Sequence, residues 1–323
     1  MIDTLVAQPA PLNATVPATE SAMTHASAPP DLAIVLVCWN NRDYLFPCLA
    51  SLYGSALRHS FEVVVVDNGS TDGSQAILRR EYPEILLIQN DGNVGLGRAS
   101  NQGIEATRGR HILLLNNDTI VNGPSLDAMV DYLDANPRTA AVGGKLLNPD
   151  GTVQSCYNNF STLHEEFLIA RGWANYSGTA IPRMDDDHVR RVAWLGSACL
   201  MLRRAAVDEI GLLDESYFIY GDEADFQYRL AQAGWDVVYL PHATTVHFGG
   251  RSMNRWGGAR WSCGKMLFYR KNYGPVRTTA LRTVLGGLSM AKLGLWARPP
   301  SRRNTGSRRA KSSSPTWMWS SCA

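Results

Sequence analysis

An apolar run, Ile112 to Leu115, ends abruptly at Asn116-Asn117-Asp118. A buried strand that stops at a carboxylate puts that carboxylate at the carboxyl edge of a parallel sheet, where open α/β folds bind ligands. One carboxylate flanked by two carboxamides suits a hard divalent cation and a diphosphate. The alternative is a plain strand-to-turn junction, since Asn and Asp are ordinary turn residues. A second acidic group, Gly221-Asp222-Glu223-Ala224-Asp225, leads into a predicted helix over Phe226 to Ala233. The helix dipole favours acids in a first turn, but capping needs only one or two of these three. A carboxylate in such a place can take a proton from an attacking hydroxyl. His247 follows a predicted last strand, Val237 to Leu240.

The elements that must position these residues alternate along the chain. Leu32 to Cys38 reads as a strand ending at Trp39-Asn40-Asn41, and Tyr44 to Leu57 has helical spacing. Phe61 to Val66 is a Val-rich buried strand ending at Asp67-Asn68-Gly69-Ser70. A helix over Asp72 to Arg80, a strand over Ile85 to Ile88 and a helix over Gly97 to Thr107 precede the Ile112 strand. A helix over Ser125 to Leu133, with Pro124 at its start, follows. Repeated strand–helix alternation predicts an α/β fold with a mostly parallel sheet flanked by helices. It also predicts that Trp39-Asn40, Asp67-Asn68 and Asn116-Asn117-Asp118 share one edge, as a nucleotide site would require. The glycine-rich stretch Asn90 to Gly97 permits close backbone approach to a ligand. It lacks the Gly-Lys-Ser/Thr of a P-loop and follows the third strand instead of the first, as a dinucleotide fingerprint would not.

Beyond this half, Val142 to Leu147, Asn148-Pro149-Asp150-Gly151 and Thr152 to Gln154 read as a hairpin. Arg191 to Leu202 is an apolar stretch interrupted by Gly196-Ser197-Ala198.

The chain has 323 residues, 45% hydrophobic and 19% charged, with a net charge of +2. That composition suits a packed globular core and gives no reason to expect a nucleic-acid partner. Six cysteines are scattered without a CxxC pair, which argues against a zinc site and a disulfide framework and fits a reducing cytosol. Residues 1–30 are rich in Ala, Pro and Thr and read as a disordered leader without signal-peptide features. No stretch reaches the roughly 18 apolar residues of a membrane span. Leu281 to Ala297, beside Arg298, Arg302, Arg303, Arg308, Arg309 and Lys311, has the pattern of a helix lying on an anionic membrane surface; a helix packed on the domain is the alternative. Residues 298–323 read as a basic disordered tail.

The ordered series VLVCWNNRDYL (35–45), VVVVDNGSTDGS (63–74), NVGLGRASNQGI (93–104), ILLLNNDT (112–119), GGKLLNPDGTVQ (143–154), WLGSACLMLRR (194–204) and the long block from Ile210 to Gly250 resembles the inverting family-two glycosyltransferases, in particular their bacterial rhamnosyltransferase-like branch. The resemblance covers residues 32–255 and implies a GT-A fold, a nucleoside diphosphate-sugar donor and Mg2+ or Mn2+. It divides the domain at about residue 136 into a nucleotide-binding half (31–136) and an acceptor and catalytic half (137–255), followed by C-terminal helices over 256–297. By the same resemblance Asp67 hydrogen-bonds the donor base, and Trp39, Asn40 and Asn117 line the nucleotide pocket. Asn93, Gly95 and Asn101 form the loop beside nucleotide and sugar. Asp118 matches the last acid of the metal-binding Asp-x-Asp motif, whose first acid is here Asn116, and His247 resembles a second metal ligand.

Asp222 and Glu223 occupy the family's Glu-Asp pair in reversed order. Position nominates Glu223 as general base and residue type nominates Asp222, while Asp225 reads as a cap or support. The basic tail beside a membrane-apposed helix favours a lipid-linked or cell-envelope glycan as acceptor over a small metabolite, at the cytoplasmic face of the plasma membrane. The sugar implied is rhamnose from its thymidine diphosphate, with galactose, N-acetylglucosamine and mannose-type donors open. Trp173, Tyr176, Trp256 and Trp261 suit either acceptor stacking or a core. Two other classes compete: a nucleotidyltransferase, for which Trp39 to Tyr44 supplies only Arg42, and a non-catalytic binding module on a degenerate scaffold, which Asn116 would suit.

Overall fold

The computed structural model describes residues 28–160, 162–170, 187–249 and 257–296. Residues 1–27 of the leader, the tail beyond Trp296, and Trp173, Tyr176 and Trp256 lie outside the described residues, as does the side chain of Trp261.

The first half alternates as expected: β1 (Leu32–Cys38), α1 (Arg42–Tyr53), β2 (Phe61–Asp67), α2 (Ser74–Glu81), β3 (Leu86–Gln89), α3 (Leu96–Glu105), β4 (His111–Asn116), β5 (Thr119–Ile120) and α4 (Gly123–Ala135). Strands β3, β2, β1 and β4 are adjacent and parallel in that order. The Val, Ile and Leu side chains of β2, β1 and β4 are almost wholly buried, the pattern of the inner strands of a parallel sheet, whereas β3 at the edge leaves Leu86 exposed. The registers pair Cys38 with Asp67 and Val37 with Asn116, so the three polar strand ends share one edge.

The second half contains β6 (Thr139–Leu147), β7 (Tyr157–Asn158), α5 (Leu163–Ala170), β8 (Arg190–Arg191), β9 (Trp194–Leu195), β10 (Cys199–Arg203), α6 (Arg204–Ile210), α7 (Asp222–Gln232) and β11 (Asp236–His247). Strand β10 inserts antiparallel between β4 and β6, and β11 runs parallel to β6, giving the order β3-β2-β1-β4-β10-β6-β11-β5. The sheet is therefore mostly parallel with antiparallel insertions.

Several boundaries differ from the sequence expectation. The apolar stretch Arg191 to Leu202 carries parts of β8, β9 and β10, with β9 and β10 separated at Gly196-Ser197-Ala198. Helix α7 starts at Asp222, four residues earlier than expected, because its acids tolerate the first turn. Strand β11 does not stop at Leu240. It crosses Pro241 through an irregularity between Leu240 and Thr244, then pairs on to Val246. His247 is thus the last residue of a strand, and not a loop residue beyond one.

Helices α8 (Gly257–Asn272) and α9 (Gly274–Trp296) follow. Met266, Phe268, Tyr269 and Leu281 form a second buried cluster with Tyr217. Leu281, the first residue of the expected membrane-facing helix, is therefore used in packing. Among the described residues no helix is long and apolar enough to cross a membrane. Cys38, Cys48, Cys156 and Cys199 are free and buried, and burial pushes the Cys48 thiol up to about 12.

Candidate active site

The polar strand ends are knitted together. Asn117 donates to the Val37 carbonyl at 3.0 Å and accepts from Asn41 at 2.6 Å. Asn40 has a left-handed backbone, φ 49°, and its side-chain oxygen accepts the Thr71 N–H at 2.7 Å. Its neighbour Trp39 is 46% exposed at this edge. Asp67 is buried. Its Oδ2 accepts from Ser70 N–H at 3.1 Å and from Gln75 Nε2 at 2.7 Å, while Oδ1 is buried with no partner among the described residues. A buried, unpaired carboxylate oxygen is costly unless a ligand donor meets it.

The glycine-rich loop is organised by Asn68, whose carboxamide binds Asn93 Oδ1 (3.1 Å), the Gly95 carbonyl (3.2 Å) and the Val94 N–H (3.1 Å). Gly95 has φ 97°, and a Cβ there would lie 2.8 Å from the Phe218 carbonyl oxygen, so only glycine fits. Asn101 is placed differently. Its amide donates to the Leu213 carbonyl at 2.8 Å and its oxygen accepts the Leu213 N–H at 3.1 Å. It ties α3 to the loop before the acid pair.

Strand β11 delivers His247 opposite Thr119, beside Asp118. His247 Nε2 lies 3.4 Å from Asp118 Oδ1 and 3.4 Å from Asn116 Nδ2. Both Asp118 and the imidazole are largely shielded from solvent, and the Phe248 N–H donates to the Asp118 carbonyl at 2.9 Å. A carboxylate oxygen and an imidazole nitrogen facing one another are a donor set for a divalent cation. Among the described residues no cluster of three or more His, Cys, Asp or Glu could hold a metal ion, so these two would need further ligands from a substrate.

Next to this edge, Asn116, Ser197, Leu96, Ser100, Asp222 and Glu223 line one cavity. The turn before the acids is strained: Tyr220 has φ 66° and Gly221 has φ 97°. It is held by α8, where a Cβ on Gly264 would collide with the Tyr220 carbonyl oxygen. Asp225 is a support. It accepts from Tyr217 Oη (3.2 Å), Arg229 Nε (3.2 Å) and Asn272 Nδ2 (2.9 Å). Asp222 is 3% exposed, with Oδ1 unpartnered among the described residues. Burial, and next the adjoining Glu223 carboxylate, hold its pKa well above the usual carboxylate range. Glu223 is less buried and accepts the Gly221 N–H at 3.2 Å. Of the two, Asp222 is the one whose surroundings favour the protonated form.

The sequence alone places Asn68 at the nucleotide edge without a specific role and does not single out Ser197, Gln75 or Gly264. Ser197 lay in the small-residue interruption, and Asn68 and Gln75 flank the Asp67 motif. Gly264 left no local signal.

Three comparisons with known proteins bear on this geometry. The profile of the family described as "Glycosyltransferase like family 2" matches residues 29–264, more than half of the chain. The chain is 30% identical over 240 residues to an N-acetylglucosaminyl-diphospho-decaprenol L-rhamnosyltransferase of Mycobacterium tuberculosis, covering 69% of this chain and 78% of that protein. It is 27% identical over 231 residues to the O-antigen biosynthesis protein RfbC of Myxococcus xanthus, covering 68% of this chain but 17% of that longer protein. Among solved structures, a mannosyltransferase from Pyrobaculum calidifontis in complex with GDP-Man and Mn2+ superposes with a TM-score of 0.56 at 16% identity, covering 85% of this chain and 77% of that one. That likeness establishes the fold as GT-A. With the parallel nucleotide-type edge, the acid pair across the cavity and the match over most of its length, the chain belongs to glycosyltransferase family 2.

Proposed function

We propose that this glycosyltransferase moves rhamnose, with inversion, from thymidine diphosphate-rhamnose to a hydroxyl of a lipid-linked or cell-envelope glycan. The observation that carries the reading is the single cavity bounded on one side by Asn116, next to Asp118, and on the other by Asp222 and Glu223. The nearby relative named as an L-rhamnosyltransferase of a diphospho-decaprenol acceptor supports this choice of sugar and acceptor.

In this reading the nucleoside lies over Trp39 and Asn40, and the unpaired Oδ1 of Asp67 accepts a base N–H. Asn93, Gly95 and Asn117 shape the path of the diphosphate and sugar. Asn101 contributes indirectly, by holding the Leu213 loop. Asp118 and His247 are the residues that would hold Mg2+ or Mn2+. A cation there supplies neutralisation of leaving-group charge. Glu223 removes the proton of the acceptor hydroxyl as its oxygen attacks the anomeric carbon, and the nucleoside diphosphate departs from the opposite face. One displacement inverts the centre, so no carboxylate nucleophile is required. Asp222, keeping its proton, donates a hydrogen bond that orients the Glu223 carboxylate. The basic segment after α9 supports an acceptor presented at the inner face of the plasma membrane.

A thermal-shift panel of thymidine, uridine and guanosine diphosphate-sugars, each with and without Mn2+ or Mg2+, tests the reading. A ligand that binds only the folded chain raises its apparent stability in step with affinity. A metal-dependent shift confined to thymidine diphosphate-rhamnose is expected. A shift with a different nucleotide reassigns the donor, and metal-independent shifts remove the roles given to Asp118 and His247.

A further inference from the structure

Gln154 has no part in the site as drawn so far, yet it touches His247 at both ends. It stands on the returning arm of the Asn148–Gly151 hairpin, with its backbone N–H donating to the Leu146 carbonyl at 2.8 Å. Its side-chain nitrogen donates to the backbone carbonyl of His247 at 2.5 Å and to Asn148 Oδ1 at 2.7 Å. Its side-chain oxygen lies 2.9 Å from His247 Nδ1. A backbone carbonyl can only accept, so it dictates which end of the amide faces it. The oxygen must then face Nδ1, and an oxygen facing a ring nitrogen requires an N–H on that nitrogen. In the neutral ring this leaves the lone pair on Nε2, the atom directed at Asp118 and Asn116. The Asn116 amide, 3.4 Å away, is a donor compatible with that lone pair.

We infer that Gln154 is a positioning residue that locks His247 in the Nδ1–H tautomer and presents the Nε2 lone pair to a cation beside Asp118. The inference rests on the metal-dependent reading above. The opposite tautomer would turn an N–H toward the carboxylate and close the place to a cation. A partner that fixes the second nitrogen of a ligating histidine is a common device of metal sites. It also gives the Asn-Pro-Asp-Gly turn a purpose, since that turn carries Gln154 to a histidine 93 residues away in sequence.

Two measurements test this. In the metal-free native chain with 15N-labelled histidine, long-range proton–nitrogen NMR correlations read the His247 tautomer, with the signal assigned by its loss in His247→Ala. The Nδ1–H form is expected; an Nε2–H ring overturns the inference. Mn2+ affinity is then followed by the electron paramagnetic resonance of the free ion, in the presence of thymidine or uridine diphosphate. Wild type, Gln154→Leu, His247→Ala and the double variant are compared. Gln154→Leu should weaken Mn2+ binding by about 10–100-fold and add nothing in the His247→Ala background. Loss in His247→Ala with none in Gln154→Leu, or losses that simply add, overturns the inference and leaves the metal reading standing. Unchanged affinity in His247→Ala removes that reading and the inference with it. The NMR measurement uses the native chain, so it decides the question even where Gln154→Leu does not fold.

Discussion

The two walls of the cleft place their functional groups by different means. On the wall proposed to bind the donor, here the donor wall, Asp67 and the Asn116–Asp118 segment hang from the ends of parallel strands whose register is fixed by ladders of buried Val, Ile and Leu. On the acid wall, Asp222 and Glu223 follow a turn with two left-handed residues, Tyr220 and Gly221. Contacts from distant segments hold that turn: Gly264 behind it, Asn272 on Asp225, and Lys271 paired with Asp214. Backbone hydrogen bonds position the first set, whereas side-chain packing across the chain positions the second. Lesions in the donor wall should therefore act first on nucleotide or metal affinity, and lesions in the acid wall on turnover alone.

The hardest test of this division is Asp118→Ala, which should cut turnover by roughly a thousandfold or more and abolish metal-dependent nucleotide binding, as expected for a ligand to a charge-neutralising cation. Steady-state kinetics with donor titration by calorimetry would read both, and wild-type values would dissolve the donor wall as drawn. Glu223→Gln should lose roughly a hundredfold or more in kcat with donor affinity intact, the behaviour of a missing general base. Full activity in both Glu223→Gln and Asp222→Asn would take catalysis away from the acid pair. Gly264→Ala pushes a methyl into the Tyr220 carbonyl, and a displacement of this kind can lower kcat by about tenfold to a hundredfold. A matching loss of donor affinity would mean that the two walls are not separable.

Asp67→Asn should weaken the donor by about tenfold, the scale of one hydrogen bond to a charged group, with kcat nearly unchanged. The smallest effect is on stability. The unfolded chain ionises Asp222 from about pH 4 upward, while the folded chain keeps the proton to a higher pH. The folded state therefore binds the extra proton, and the stability held at this site is lost as pH rises above about 4. Asp222→Asn should flatten that slope and raise Tm by about a few degrees over wild type at pH 8 but not at pH 4. A Tm difference independent of pH would contradict the buried, protonated Asp222.

This division also explains which parts were legible in the sequence. Strands β1, β2 and β4 announce themselves as short runs of Val, Ile and Leu, and the polar residues closing each run land on one edge because parallel strands end together. The acids of α7 were visible as residue types, but the helix start was displaced because a first-turn acid and a loop acid look alike in sequence. Strand β11 was cut short at Pro241, since a local rule cannot foresee that the strand resumes beyond an irregularity. Asn101, Gln154 and Gly264 have partners 112, 93 and 44 positions away (Leu213, His247 and Tyr220, the last as 264 − 220), beyond the reach of any periodicity.

The close approach of Gly264 to Tyr220 bears on how the molecule comes apart. Local opening of a protein proceeds in cooperative units, each with its own free energy. Because α8 has no slack against the strained turn, opening of the α8–α9 pair releases Tyr220 and Gly221 in the same event. Amide hydrogens of the first turn of α7 should then exchange with those of α8, and not with those of the sheet. The chain would pass through a state in which the parallel edge is still closed while the proposed catalytic pair has already lost its support, so the C-terminal helices would give way as a latch ahead of the sheet.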